Sequence, residues 1–443
     1  MKSKVAGVAL WVGLAATNAG AEEDPLGVDE VAEAIVLMTT PVWTGPRTPA
    51  PTETPRPGSA STTIRSDTAL VAVHASPRES WDRITQVLRA LEYAAGAMAG
   101  MGWPDPLPDG LLGGGPSLDL YLAPSDLPTA AHSDNLPSWS FLDRASAFAV
   151  LDPATPTHAL DACVTAAYAE ALLLSMDPAE SRNWRRATAA WITWELTGFF
   201  GCEDAVWQQQ RDPWRSWING AAEEGAGGAL WLAYLSARHD DSEPAFVRDA
   251  WYLASQRTWE GRGLRAEPDL WSAIDTAVLQ SGDRLIDNIQ DLAVQRWFVG
   301  RGRPPTPLVA SIDSDARVPT MRTLRRLPTR AVARTALEPF GSAYAVLEGG
   351  AWGGESSLRV WLKGEYGVRW SLIALQLDAN GAEIQRVSAP STDGEPTAYL
   401  PIELAADTES LLLVVTNLSS RLPDADHEDP NLRAFELIVD RAD

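Results

Sequence analysis

From residue 67 onward, apolar positions either alternate with polar ones or return with a helical period. Residues 69–74 form a β-rich run, and residues 79–98 place apolar side chains at helical spacing up to Gly100. Residues 118–122 and 147–151 read as two further strands, and the Gly- and Pro-rich stretch between them reads as loop. Strand, helix, strand and strand ahead of a helical half predict an α+β plan.

The helical half spans residues 158–299. Its first helix, 159–176, is apolar nearly all round, which predicts burial on most sides. An Asp177-Pro178 break follows, then a helix over 181–197 that sets Trp184, Thr188, Trp191 and Glu195 along one side. Further helical segments are expected around 229–238, 246–251, 271–280 and 285–297, with a break at 300–307. Beyond residue 337 the texture changes to short strands, at 357–363, 370–377, 383–387, 398–404, 410–416 and 435–439. Asn380-Gly381 between two of them is a hairpin signal. This spacing predicts a small antiparallel β-sandwich.

Composition adds bounds. A chain of 443 residues is long for one domain. The expected organisation is a signal peptide at 1–21, a disordered Pro/Thr-rich linker at 22–66, an α+β domain at 67–305, a linker at 306–336 and the sandwich at 337–443. Lys2 and Lys4, the apolar run at 5–16 and Ala19-Gly20-Ala21 have the layout of a secretory signal. Export is therefore expected, to periplasm or medium, with no transmembrane segment in the mature chain. The net charge of −23 argues against nucleic-acid partners and anionic membrane surfaces. The two cysteines, Cys163 and Cys202, would meet an oxidising compartment. They either form a disulfide or pack as two buried thiols; both readings stand at this point.

Several motifs follow one another: Leu151-Asp152-Pro153, the helix from Cys163 to Leu174, Asp177-Pro178-Ala179-Glu180 and the Trp184 to Trp191 stretch. Farther on come Gly227-Gly228-Ala229-Leu230-Trp231, Val294-Gln295-Arg296-Trp297 and the run 411–418. In these motifs and their order, residues 140–300 resemble a secreted bacterial family of gluzincin-type metallopeptidases. The resemblance implies a metallopeptidase-type domain followed by the sandwich. It also implies a zinc site of His-Glu-x-x-His on the first helix, with a Glu from the second. In this chain those positions hold Ala167, Tyr168, Ala171 and Arg186. Catalytic zinc takes three donor side chains and keeps an open position. Alanine has no donor, and Arg186 would repel a cation. The general-base position holds a phenol of high pKa.

The expectation is a degenerate, non-catalytic member with no cofactor, serving as a peptide- or protein-binding or scaffolding module. Its binding residues would be Tyr168, Glu170, Arg186, Trp191 and Glu195. Two rivals stand beside it. One is a hydrolase working through Glu170, Glu195 and Tyr168; against it, those carboxylates can be solvated or paired with Arg185 and Arg186. The other is a carbohydrate or cell-envelope binder using exposed tryptophans, with Trp207, Trp214 and Trp217 in a polar loop region as candidates. His158 with Asp161 reads as a helix start capped by Thr157 rather than as a ligand pair. The acidic run 424–429 lacks the glycine and spacing of a calcium loop.

Overall fold

A computed structural model describes residues 55–58, 62–135, 144–202, 205–217, 225–240, 244–256, 268–301, 317–389, 397–419 and 432–442. The stretch 1–21 that reads as a signal peptide and the acidic run 424–429 lie outside the described residues. The first sheet has the order β1-β2-β3-β5-β4, from β1 (Thr62–Arg65), β2 (Val71–Ala75), β3 (Leu118–Leu122), β4 (Thr129–Asn135) and β5 (Ser146–Leu151). β2, β3 and β5 are parallel, while β1 and β4 run antiparallel at the edges. The β2–β3 crossover is α1 (Trp81–Gly100), started by Ser80, whose side chain accepts from Arg83 N.

The two faces of this sheet differ because the strands alternate. Val71, Val73, Ala75, Leu118, Leu120, Leu122, Ala147, Ala149 and Leu151 join the main core with α1 and the next helix. His74, Asp119, Tyr121 and Phe148, from alternate positions, lie outside that core. β4 falls in the stretch read as loop, and β1 in the stretch read as linker. β1 is only four residues long and β4 is mostly polar, and tertiary pairing with β2 and β5 decides them.

α2 (Leu160–Met176) packs against β4, β5, α1 and α3 (Arg182–Thr197), so every residue of it except Asp161 is buried. The stretch Thr157–Met176 is long and apolar enough to cross a membrane, contrary to the expectation from sequence, but it lies inside the fold. It is entered through a 3₁₀ turn, Thr157–Ala159, and no side chain caps it; Thr157 does not act as the cap. The Asp177-Pro178 break is held locally. Asp177 Oδ1 accepts from Ala179 N at 3.0 Å and Glu180 N at 3.1 Å, and Ser181 Oγ then caps α3. Gly198, at φ +79°, ends α3 in the left-handed region.

The remaining helices are α4 (Ala205–Arg211), α5 (Ala229–His239), α6 (Phe246–Ala254), α7 (Leu270–Gln280) and α8 (Leu285–Phe298). α4 occupies part of what reads as a polar loop.

The C-terminal region is two packed sheets. β6 (Arg322–Leu324), β8 (Ser342–Glu348), β10 (Trp370–Leu377), β11 (Glu383–Ser388) and β13 (Ser410–Asn417) form one, in the order β11-β10-β13-β8-β6. β7 (Thr329–Val332), β9 (Ser357–Gly364), β12 (Thr397–Glu403) and β14 (Phe435–Arg441) form the other, in the order β12-β9-β14-β7. Gly381 turns the β10–β11 hairpin at φ +76°. Among the described pairs in these sheets, β6–β8 is parallel and the rest are antiparallel. β6 and β7 lie within the 306–336 stretch read as a linker.

The sandwich is not a separate unit, as its sequence texture suggested. β10 is buried at every position, because its sheet is covered on both faces. Leu372, Ala374, Leu411 and Leu413 face the second sheet, whereas Ile373, Leu375, Leu412 and Val414 belong to the core of the helical half. Tyr344 OH donates to Ala293 O at 2.7 Å, and Glu338 accepts from Ser216 N at 2.6 Å. Trp217, Trp271 and Phe340 close the junction, with ring centroids 5.3–5.8 Å apart.

Candidate functional site

The positions that the metallopeptidase resemblance points to lie where α2 crosses α3. At 100° per residue, Ala167 and Ala171 share one stripe of α2, while Cys163, Ala166 and Glu170 share another roughly a quarter-turn away. Ala167 and Ala171 have no exposed surface, and Tyr168 is 3% exposed; all three belong to the main core. Burial, with Asp105 adding to it, pushes the Tyr168 phenol above its ordinary pKa, so it is no base at neutral pH. Trp191 is likewise buried in the core.

The second stripe faces a cavity of about 20 Å³. Its lining includes Pro128 and Thr129 at the start of β4, Glu170, Arg186 and Cys202. This is room for about one water molecule and not for a peptide side chain. Glu170 is buried, and its Oε1 finds no hydrogen-bond partner among the described residues. Burial raises its pKa, opposed by the charges of Arg185, Arg186 and Arg182. The Cys163–Cys202 disulfide, with Cα atoms 4.2 Å apart, ties α2 to the turn beyond α3 beside this cavity. This resolves the two readings of the cysteines.

Beside the cavity, Arg185 faces the helix junction and donates through Nη1 to the Glu180 carbonyl. Glu180 accepts from Ser181 N at 2.5 Å and from Leu270 N at 2.6 Å, joining the α2–α3 turn to the start of α7. Burial, then the neighbouring Asp269, pushes the Glu180 carboxyl up to about 7.

Of the five side chains singled out from sequence, the structure brings Glu170 and Arg186 together. Tyr168 and Trp191 are core residues on other faces. Glu195 is exposed near the end of α3 and does not line the cavity. Trp217 is core and Trp214 packs against the sandwich core, so neither offers a sugar platform. Trp207 is half-buried on α4 beneath the Arg211 guanidinium, 5.3 Å from its ring centre. His158 and Asp161 are both exposed.

Sequence reading passed over a second polar cluster, on the face of the first sheet away from α1 and α2. There Asp109, Asp119, Asp134, Tyr121 and His74 gather around Arg56. The alternation in Leu118-Asp119-Leu120-Tyr121-Leu122 was its one local signal; the long-range partners left none.

No protein-family model and no curated protein matches the chain. Solved structures match parts of it. One is the pre-peptidase C-terminal domain of collagenase from Bacillus anthracis, at 10% identity and TM-score 0.20, covering 27% of this chain and 96% of that one. Another is the enzymatically active domain of bacteriophage CBA120 tailspike protein 4, at 7% identity and TM-score 0.19, covering 26% of this chain and 18% of that one. The Yersinia pseudotuberculosis-derived mitogen matches at 16% identity and TM-score 0.17, covering 26% of this chain and 89% of that one. Likeness at this level carries no functional weight.

Proposed function

We propose that the chain is an exported, non-catalytic relative of gluzincin-type metallopeptidases that binds or scaffolds a peptide or protein. The observation that carries this reading is the setting of Ala167, Tyr168 and Ala171. Two have no donor atom and all three are sealed in the core, whereas a catalytic zinc needs three ligands and an open coordination position. No cofactor is implied. The Cys163–Cys202 disulfide supports export, since such bonds persist in oxidising compartments.

For binding, the support lies in β4, the outer strand of the first sheet among the described residues, with His132 and Asp134 as its part-exposed positions. An outer strand keeps unpaired ladder groups to which an extended peptide can add. The 20 Å³ cavity is too small to be that peptide's site. A hydrolase working through Tyr168, Glu170 and Glu195 has less support, because those side chains occupy a core position, a cavity of about 20 Å³ and an exposed helix end. The sugar-platform reading loses Trp217 to the core.

The test is zinc analysis of the purified mature protein, together with hydrogen exchange of residues 129–135 in the presence of a mixed peptide library. The expected result is well under one zinc per chain and slowed exchange along β4. Stoichiometric zinc surviving dialysis would overturn the non-catalytic reading. Unchanged exchange at β4 with saturating peptide would remove the binding one.

A further inference from the structure

The face of the first sheet away from α1 and α2 holds a built polar pocket with an occupant. Arg56 donates through Nε to Asp134 Oδ1 at 2.7 Å, and its Nη groups bond to Asp109, Asp119 and Asp134. Nη1 also donates to Tyr121 OH at 3.3 Å. The three aspartate side chains are 1–3% exposed. Phe148 and Tyr121 form an aromatic wall, with ring centres 5.4 and 5.9 Å from the guanidinium carbon. Behind them, His74 Nε2 lies 2.8 Å from Asp119 Oδ1, its Nδ1 is 2.9 Å from Thr63 Oγ1, and its ring stacks on Tyr121. Gly113, at φ +73°, lets the loop close over the pocket; a Cβ there would run into Asp119 and Arg56.

Two features exceed what anchoring one arginine requires. Three buried carboxylates face one guanidinium, although an uncompensated buried carboxylate is costly. Asp109 Oδ1 is buried with no hydrogen-bond partner among the described residues, a spare acceptor inside the pocket. Burial, and the neighbouring Asp119 and Asp134, push the Asp109 carboxyl up to about 6 despite Arg56. The occupant is also presented like a ligand. Arg56 sits between Pro55 and Pro57, which have no amide N–H to add to the sheet, so the side chain supplies the hold.

We infer that this pocket is a guanidinium-recognition site, filled in cis by Arg56 and able to take the arginine side chain of another peptide when residues 55–58 withdraw. The fork of donors on a guanidinium can reach several carboxylates at once, whereas an ammonium acts as a single point charge. The pocket therefore selects arginine over lysine. The inference is independent of the zinc-site reading, because none of its residues lies on α2 or α3.

The test uses the full mature chain with Arg56→Ala and Arg56→Lys, the second chosen because it keeps a positive charge in the pocket. The probe is N-acetyl-arginine amide and the control is N-acetyl-lysine amide, followed by calorimetry and thermal shift. In the wild type the cis arginine competes, so both variants should bind the arginine probe at least about tenfold more tightly than wild type does. The probe should raise their Tm while the lysine control does not. Adding Asp119→Asn to either variant should abolish the gain. If neither variant binds the arginine probe more tightly than wild type, or if the lysine control binds equally, Arg56 is only a structural staple and the inference fails.

Discussion

Consider introducing the zinc-ligand set that the proposed metallopeptidase relationship implies, with Ala167→His, Tyr168→Glu, Ala171→His and Arg186→Glu. On paper this supplies His-Glu-x-x-His and a third ligand; in this fold it should cost most of the stability. Ala167 and Ala171 have no exposed surface, so each imidazole must displace packed neighbours. Overpacking of that kind costs about 1–3 kcal/mol per site. Arg186→Glu removes a cation whose charge lowers the pKa of the buried Glu170 and sets a second carboxylate in the same small cavity. Breaking such a buried charge arrangement costs about 3–5 kcal/mol. Together these reach about 5–11 kcal/mol, against a typical domain stability of about 5–15 kcal/mol. Urea denaturation of the quadruple variant and of each single variant, followed by circular dichroism, measures the loss. Elemental analysis after dialysis measures zinc. A quadruple variant with wild-type stability and stoichiometric zinc would refute the reasoning, because it would mean that the α2–α3 crossing retains a usable cavity on the Ala167/Ala171 face.

Three further outcomes are expected. Glu180, raised from the ordinary 4.5 to about 7 by burial and Asp269, binds its proton more tightly folded than unfolded. Its contribution of about 3 kcal/mol is therefore present below pH 4.5 and lost as pH rises through 7, and Glu180→Gln should flatten that part of the stability–pH curve; an unchanged curve would count against it. Replacing Cys163 and Cys202 by Ser should lower stability by about 4 kcal/mol, as should reduction of the native chain, and equal melting of the two forms would contradict the disulfide's role. Because β8, β10 and β13 share a core with the helices, denaturation should show one cooperative transition, and a chain ending at residue 301 should lose near-UV dichroism; a folded, soluble fragment would show that the halves are independent.

Part of the candidate site was legible in the sequence. The absence of donors at 167 and 171 is a matter of residue identity, and the meeting of Glu170 with Arg186 follows from two adjacent helices joined by a short break. Other placements were not legible. Tyr168 and Glu170 are two positions apart on one helix, yet one enters the core and the other a cavity, because α2 is apolar all round and its pattern does not say which neighbour covers which side. Glu195 sits on the same stripe of α3 as Trp191, but the helix runs out of the core before reaching it. The Arg56 pocket draws on residues up to 78 positions apart, and no local pattern links them.

By itself the sequence determined the order of most elements, the α+β class, the buried character of α2, the β10–β11 hairpin and the absence of zinc-donor side chains at positions 167, 171 and 186. These rest on periodicity, turn chemistry and donor atoms, which are local properties. Tertiary structure alone decided the edge strands β1 and β4, whose largely polar sequences gain strand form only by pairing. It also decided that the sandwich shares its core with the helices. Residues 370–377 and 410–417 are apolar enough for a sheet covered on both faces, but a run of apolar residues does not name the layer that covers it. The pairing of Cys163 with Cys202 and the gathering of three aspartates around Arg56 are likewise tertiary, since both depend on distances that only the packed chain defines.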